Sequence, residues 1–161
     1  MDGITIGNLD VGFDQQQEQA LTLVDQGKSS QEIMDETGQV VGVDKVSMSV
    51  KQGEICVLMG LSGSGKSSLL RAVNGLNEIS RGSLKIKDGD DMVELANCDE
   101  QTLRNLRTHR VSMVFQKFAL MPWLTLLDNV AFGLEMQGIG KAERRKKARE
   151  QLEMVGLSEW E

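Results

Sequence analysis

Ile55-Cys56-Val57-Leu58-Met59-Gly60-Leu61-Ser62-Gly63-Ser64-Gly65-Lys66-Ser67 is the stretch on which the reading of this chain turns. Residues 55 to 59 are uninterruptedly apolar, with the length and composition of a fully buried strand. They run directly into Gly-x-x-x-x-Gly-Lys-Ser, from Gly60 to Ser67. Behind the loop, Ser67 to Asn74 reads as a helix with Leu69, Leu70 and Val73 inward, and Gly75 supplies its exit. Strand, glycine loop and helix stand in the order that a phosphate-binding loop requires.

Glycines at 60, 63 and 65 permit the backbone conformations in which successive N–H groups from Gly63 to Ser68 turn toward one point. An anion belongs at that point. The helix that follows aims its N-terminus there, adding unsatisfied N–H donors and the positive end of its dipole. The nucleotide-holding residues are therefore expected to be Gly60, Ser62, Gly63, Ser64, Gly65, Lys66, Ser67 and Ser68. Lys66 is expected to reach the β- and γ-phosphates, the Ser67 hydroxyl to ligate Mg²⁺, and Ser68 to add a further donor. The expected ligand is ATP with magnesium.

Upstream, Ile4 and Ile6 alternate as in a short strand, and Phe13 follows the turn-like Asp10-Val11-Gly12. Residues 14 to 37 read as a small helical hairpin. Its first helix carries Leu21 and Val24 and stops at Gly27; its second opens with Ser29 and Glu32 at capping-box spacing. Strand alternation returns at Val46, Met48 and Val50, and Lys51-Gln52-Gly53-Glu54 turns the chain into the apolar run.

Downstream, Leu84 and Ile86 lead into the hairpin turn Asp88-Gly89-Asp90, with Met92 to Leu95 returning. Asp99 can cap a helix to about Arg107, and Val111 to Phe115 is a short β-prone run ending at Gln116. Helices follow over Leu126 to Gln137 and Lys141 to Val155.

Composition narrows the class of partner. Of 161 residues, 40% are apolar and 26% charged, an ordinary globular balance, and the net charge of -6 is not gathered in a tail. No nucleic acid is expected, because a basic footprint is missing. Cys56 and Cys98 match no metal spacing, and Cys56, inside the apolar run, reads as a buried thiol in a reduced, cytosolic compartment. The N-terminus has no basic-then-apolar leader, and no apolar stretch approaches the roughly 20 residues of a membrane span.

Among P-loop proteins, a small GTPase would place Asp-x-x-Gly downstream of the loop and carry Asn-Lys-x-Asp. The sequence has Asp35-Glu36-Thr37-Gly38 upstream instead, and no Asn-Lys-x-Asp. A small-molecule kinase usually has its P-loop among the first residues of the chain. The loop Gly60 to Ser68, Val114-Phe115-Gln116, Leu120-Met121-Pro122 and Leu127-Asp128-Asn129-Val130 together resemble the ABC-transporter ATPase family, its Walker A loop and Q-loop region. The hairpin at 14 to 37, the segment Gln39 to Asp44 and Met59-Gly60-Leu61-Ser62 are similar to ATP-binding subunits of quaternary-amine importers, the glycine betaine, proline and choline group, and to the choline type above all.

This resemblance implies an α/β fold: a P-loop strand and helix in a partial parallel sheet, an antiparallel β layer, and the beginning of a helical subdomain. The nucleotide-binding core would occupy residues 1–13 and 39–116, the hairpin insertion 14–37, and the helical subdomain would start in 117–161. It implies that Gln116 contacts magnesium and the attacking water, and that Phe13 stacks on adenine where the family more often has Tyr. Phe118, Leu120, Met121 and Trp123 would receive the coupling helix of a membrane permease. A second ATPase subunit would complete a homodimer in the full-length protein, at the cytoplasmic face of the membrane.

His109, the sole histidine, lies before the Q-loop segment and is not the family's switch histidine. The basic run Arg144, Arg145, Lys146, Lys147 and Arg149 reads as a solvated helix face, and Asp128 takes no acid/base role. The signature loop of the Leu-Ser-Gly-Gly type, the Walker B aspartate, the catalytic glutamate and the switch histidine do not occur in these residues. The implied reading is thus the N-terminal part of one ATPase domain, inactive by itself and with apolar edge surface exposed beside the P-loop strand. A naturally short regulatory nucleotide binder and an ABC ATPase for another substrate remain open alternatives.

Overall fold

The computed structural model describes residues 1–12, 17–117 and 120–160. They form two compact units, Met1–Arg104 and Asn105–Glu161. The division falls upstream of the boundary at 116/117 that the family resemblance implies.

In the first unit, β1 (Asp2–Gly12) runs between β2 (Val41–Lys51) and β3 (Arg81–Asp88), and β4 (Asp91–Glu94) pairs with β3. All three pairings are antiparallel. The alternation of Ile4 and Ile6 sets the register: Ile6 lies opposite Met48 on one side and Leu84 on the other. Ile6, Leu84 and Ile86 are buried.

At Asn8 the pattern is interrupted by a bulge, with φ at 45°, a left-handed conformation that Asn tolerates better than most residues. Ser47 steadies it: its hydroxyl accepts from the Asn8 N–H at 2.8 Å and donates to Asn8 Oδ1 at 3.2 Å. Past the bulge the chain buries Leu9, Asp10 and Val11 in succession. Gly82 fits against it because any Cβ there would overlap the Asn8 carbonyl.

Among the described residues of this unit, Asp10 is the fully buried carboxylate. It accepts from the Lys45 N–H and from Arg81 Nε, each at 2.6 Å. The rest of the Arg81 guanidinium forks onto Asp25 at 2.8 and 3.0 Å, and Lys45 Nζ joins Asp25 at 2.9 Å.

Asp25 ends α1 (Gln17–Asp25), so this network fastens the helical hairpin to the sheet. The second helix, α2 (Ser30–Thr37), has the capping box expected of Ser29 and Glu32, and Gly38 closes it in a left-handed cap. Ala20, Val24, Ile33 and Val41 form the small core between hairpin and β2.

One expectation fails here. Residues 55 to 59 adopt no strand, and every strand pairing among the described residues is antiparallel, so the partial parallel sheet is not formed. Ile55, Val57 and Met59 are 92%, 70% and 87% exposed. A parallel strand has no structure without neighbours to satisfy its N–H and C=O groups, and none of the described segments pairs with this one. The expected exposed apolar surface is therefore present. Cys56 is also exposed, which corrects its reading as a buried thiol.

The loop leads into α3 (Lys66–Val73). The helix α4 (Glu100–His109) opens at Asp99, whose carboxylate accepts from the Thr102 N–H at 2.7 Å. Residues 111 to 115, read as β-prone, also take no strand.

The second unit is built on α5 (Leu126–Met136) and α6 (Lys141–Met154), which bury Leu127, Ala131, Ala148 and Leu152 against each other. The basic run is less solvent-bound than expected. Arg145 holds Asp128 through two bonds at 2.8 and 2.7 Å, and Arg144 reaches Glu135 at 2.9 Å. Asp128 thereby has a structural task, joining α5 to α6. No described helix is long and apolar enough to cross a membrane.

Candidate phosphate-binding site

Gly60, Gly63 and Gly65 all take positive φ, at 156°, 83° and 83°. That is the freedom the sequence pattern asks of them. The Ser64 N–H bonds back to the Leu61 carbonyl at 3.3 Å, closing the turn, and Gly65 serves as N-cap of α3. No side chain caps the helix, so its first N–H groups keep their capacity for an external acceptor.

Two close approaches shape the loop. A Cβ on Gly65 would overlap the carbonyl oxygen of Gly42, and one on Gly60 would meet Ser64 Oγ at 2.9 Å. Gly65 therefore packs directly on the backbone of β2, and the strand forms the rear support of the cradle. Gly42 was not singled out by sequence reasoning. Its signal was a glycine between Val41 and Val43, where a glycine inside a strand pattern marks close backbone approach.

Lys66 Nζ donates to the Gly60 and Leu61 carbonyls at 3.0 and 2.6 Å and to Ser64 Oγ at 3.0 Å. The ammonium is thus held over the same loop whose amides are to receive the anion. Ser62, Ser67 and the loop glycine Gly63 are exposed, and Ser68 is half-buried. The eight residues from Gly60 to Ser68 assigned to the nucleotide are brought together on this one loop and helix start.

A cavity of about 660 Å³ adjoins them, lined by the loop, by β2 and by α2. Its size suits a small-molecule ligand. The donor set fits a triphosphate: backbone amides, a lysine and hydroxyls, with no carboxylate in the loop. For magnesium, no cluster of three or more His, Cys, Asp or Glu side chains occurs among the described residues. For its part the loop can offer magnesium one hydroxyl, that of Ser67 at the start of α3.

The remaining assigned residues are not part of that loop and helix start in the sequence. Gln116 belongs to the second unit, exposed at a bend rather than at a strand end. Phe13 and Phe118 lie outside the described residues. Leu120 and Trp123 are exposed and Met121 is half-buried. Asn129 organises that segment: its Oδ1 accepts from the Met121 N–H at 2.8 Å, and its Nδ2 donates to the Met121 and Leu124 carbonyls at 3.1 and 3.2 Å. Sequence reasoning saw Asn129 only as part of a motif.

Residues 43–161 match the family model described as ABC transporter. The chain is 43% identical over 157 residues to the glycine betaine/proline betaine transport system ATP-binding protein ProV of Escherichia coli (strain K12), covering 98% of this chain and 38% of that protein. It is 46% identical over 149 residues to the glycine betaine transport ATP-binding protein OpuAA of Bacillus subtilis (strain 168), covering 92% and 35%. Thus the chain spans roughly two fifths, 38%, of the length of the first of these relatives. Among solved structures, a dimeric ATP-binding cassette in a post-hydrolysis state bound to ADP and Pi superposes with a TM-score of 0.72 at 26% identity, covering 95% of this chain and 57% of that one.

Proposed function

The chain belongs to the ABC transporter family, and on that premise we propose that it is the phosphate-holding part of an importer's ATP-binding subunit. The observation that carries this reading is the loop Gly60 to Ser67, closed onto the backbone of Gly42 with Lys66 drawn over it. Loop amides and Lys66 hold the triphosphate, Ser68 adds a donor, and Ser67 ligates Mg²⁺. ATP as the nucleotide is supported by the relatives, each an ATP-binding protein.

The cargo is a quaternary amine such as glycine betaine or choline. Relatives described as glycine betaine transport proteins support this, and weight it toward glycine betaine. Two protein partners follow. A membrane permease docks on the exposed Leu120 and Trp123, with Met121 and Phe118, which keeps the subunit at the cytoplasmic face. A second ATPase subunit pairs with the first, as the dimeric relative supports.

When bound, the magnesium nucleotide supplies a γ-phosphoryl group for transfer to water. This chain's own contribution is to hold that group still and neutralise charge on it through the amides and Lys66. Gln116 keeps the role toward magnesium and attacking water that its family segment implies, and Phe13 that toward adenine.

Calorimetric titration tests the reading. Lys66→Ala removes charge-assisted bonds worth about 1.5–3 kcal/mol each, so Mg-ATP affinity should fall at least about tenfold. Unchanged affinity would sink the assignment.

A further inference from the structure

The loop forms only part of the cavity it lines. Another part of the lining is Ser30, Gln31 and Met34 of α2 together with Val40, just before β2. These residues sit in the helical hairpin and its exit, not in the phosphate-binding motif. Their exposure is selective. Ile33 is 1% exposed in the hairpin's core, while its neighbour Met34 is 47% exposed and Val40 is 44% exposed. Successive helix residues point in different directions, so α2 spends one apolar residue on its own core and presents the next to the cavity.

Single exposed apolar residues need no explanation. Here two of them line the same cavity as a cradle built for an anion. The ligand chemistry that matches is one with a charged end and a flat, weakly polar end: a nucleotide, whose triphosphate occupies the loop and whose base needs apolar cover. Methionine suits that task, since its flexible, polarisable thioether adapts to an aromatic face.

The wall is also fixed in advance. The capping box, the Gly38 cap and the Ile33 core hold α2 in place, and the Arg81–Asp25 pair holds the hairpin to the sheet. A pre-organised wall gains affinity because little ordering is left for the binding step.

We propose that α2 is the base-end wall of the nucleotide site, with Met34 covering a face of the base. The proposal rests on the phosphate reading of the loop, so its test separates the two. Mg-ATP and inorganic tripolyphosphate are each titrated into the wild-type chain and into Met34→Ala, Met34→Leu and Lys66→Ala. Met34→Ala should weaken ATP binding about fivefold and leave tripolyphosphate unchanged. Met34→Leu, which keeps apolar volume, should retain ATP affinity. Lys66→Ala should weaken both ligands.

ATP affinity indifferent to Met34→Ala, or an equal loss for both ligands, would overturn the wall while leaving the phosphate site standing. Indifference of both ligands to Lys66→Ala would remove the phosphate site, and the wall with it. Because Met34 is half exposed, its truncation should leave the thermal melt of the chain unchanged.

Discussion

Gly63 and Gly65 have the same backbone conformation, φ of 83°, but different surroundings. A Cβ on Gly63 meets nothing within 4 Å, whereas one on Gly65 overlaps the Gly42 carbonyl. Gly63→Ala should therefore cost only the left-handed penalty, about 1–2 kcal/mol, and weaken ATP binding mildly. Gly65→Ala adds a backbone collision and should push loop and β2 apart, with ATP binding lost and a larger fall in urea stability. Equal effects of the two substitutions would refute the close approach. Both glycines were legible from the motif alone. Their inequality was not, because it depends on Gly42, which is distant in sequence.

At the scale of elements, the hairpin shows how much rests on one buried carboxylate. Asp10 satisfies a backbone N–H and one arm of Arg81 while fully buried. Asp10→Ala leaves those donors unpaired inside the unit, and urea denaturation should report a loss of about 2–4 kcal/mol. The other arm of the network adds a pH dependence. Hydrogen bonds from Arg81, then from Lys45, hold the Asp25 carboxyl well below the usual carboxylate range. A depressed folded-state pKa means stability that is present in full above the unfolded value of about 4 and lost as pH falls below it. Protection of the α1 amides, taken as their exchange relative to the free-chain rate at each pH, should fall on acidification in that window. Arg81→Met should flatten the response; an unaltered profile would remove Arg81 from the latch. The capping box and both helices of the hairpin were readable from Ser29, Glu32 and Gly27, because caps are local chemistry. The latch joins residues 10, 25, 45 and 81, and no local pattern announces it.

For the molecule as a whole, the decisive feature is the apolar segment Ile55 to Met59, exposed and unpaired with any described strand, next in sequence to the glycine loop. Exposed apolar side chains on a backbone with unsatisfied N–H and C=O groups are a template for association. Sedimentation should show concentration-dependent self-association, reduced by Ile55→Lys or Val57→Lys with no loss of Mg-ATP affinity. A monomer at all concentrations would contradict this. Sequence by itself determined the glycine loop and its conformation, the two helices of the hairpin, the antiparallel strands and the helices α3 to α6, because glycine conformations, caps and hydrophobic periodicity act over a few residues. It also determined that 55 to 59 is apolar and β-prone. Whether those residues form a strand was decided only by tertiary structure, since a parallel strand takes its hydrogen bonds from neighbours far along the chain. For the same reason only the fold could bring Gly42 behind Gly65 and Met34 to the cavity that Lys66 lines: each pairing joins segments more than twenty residues apart.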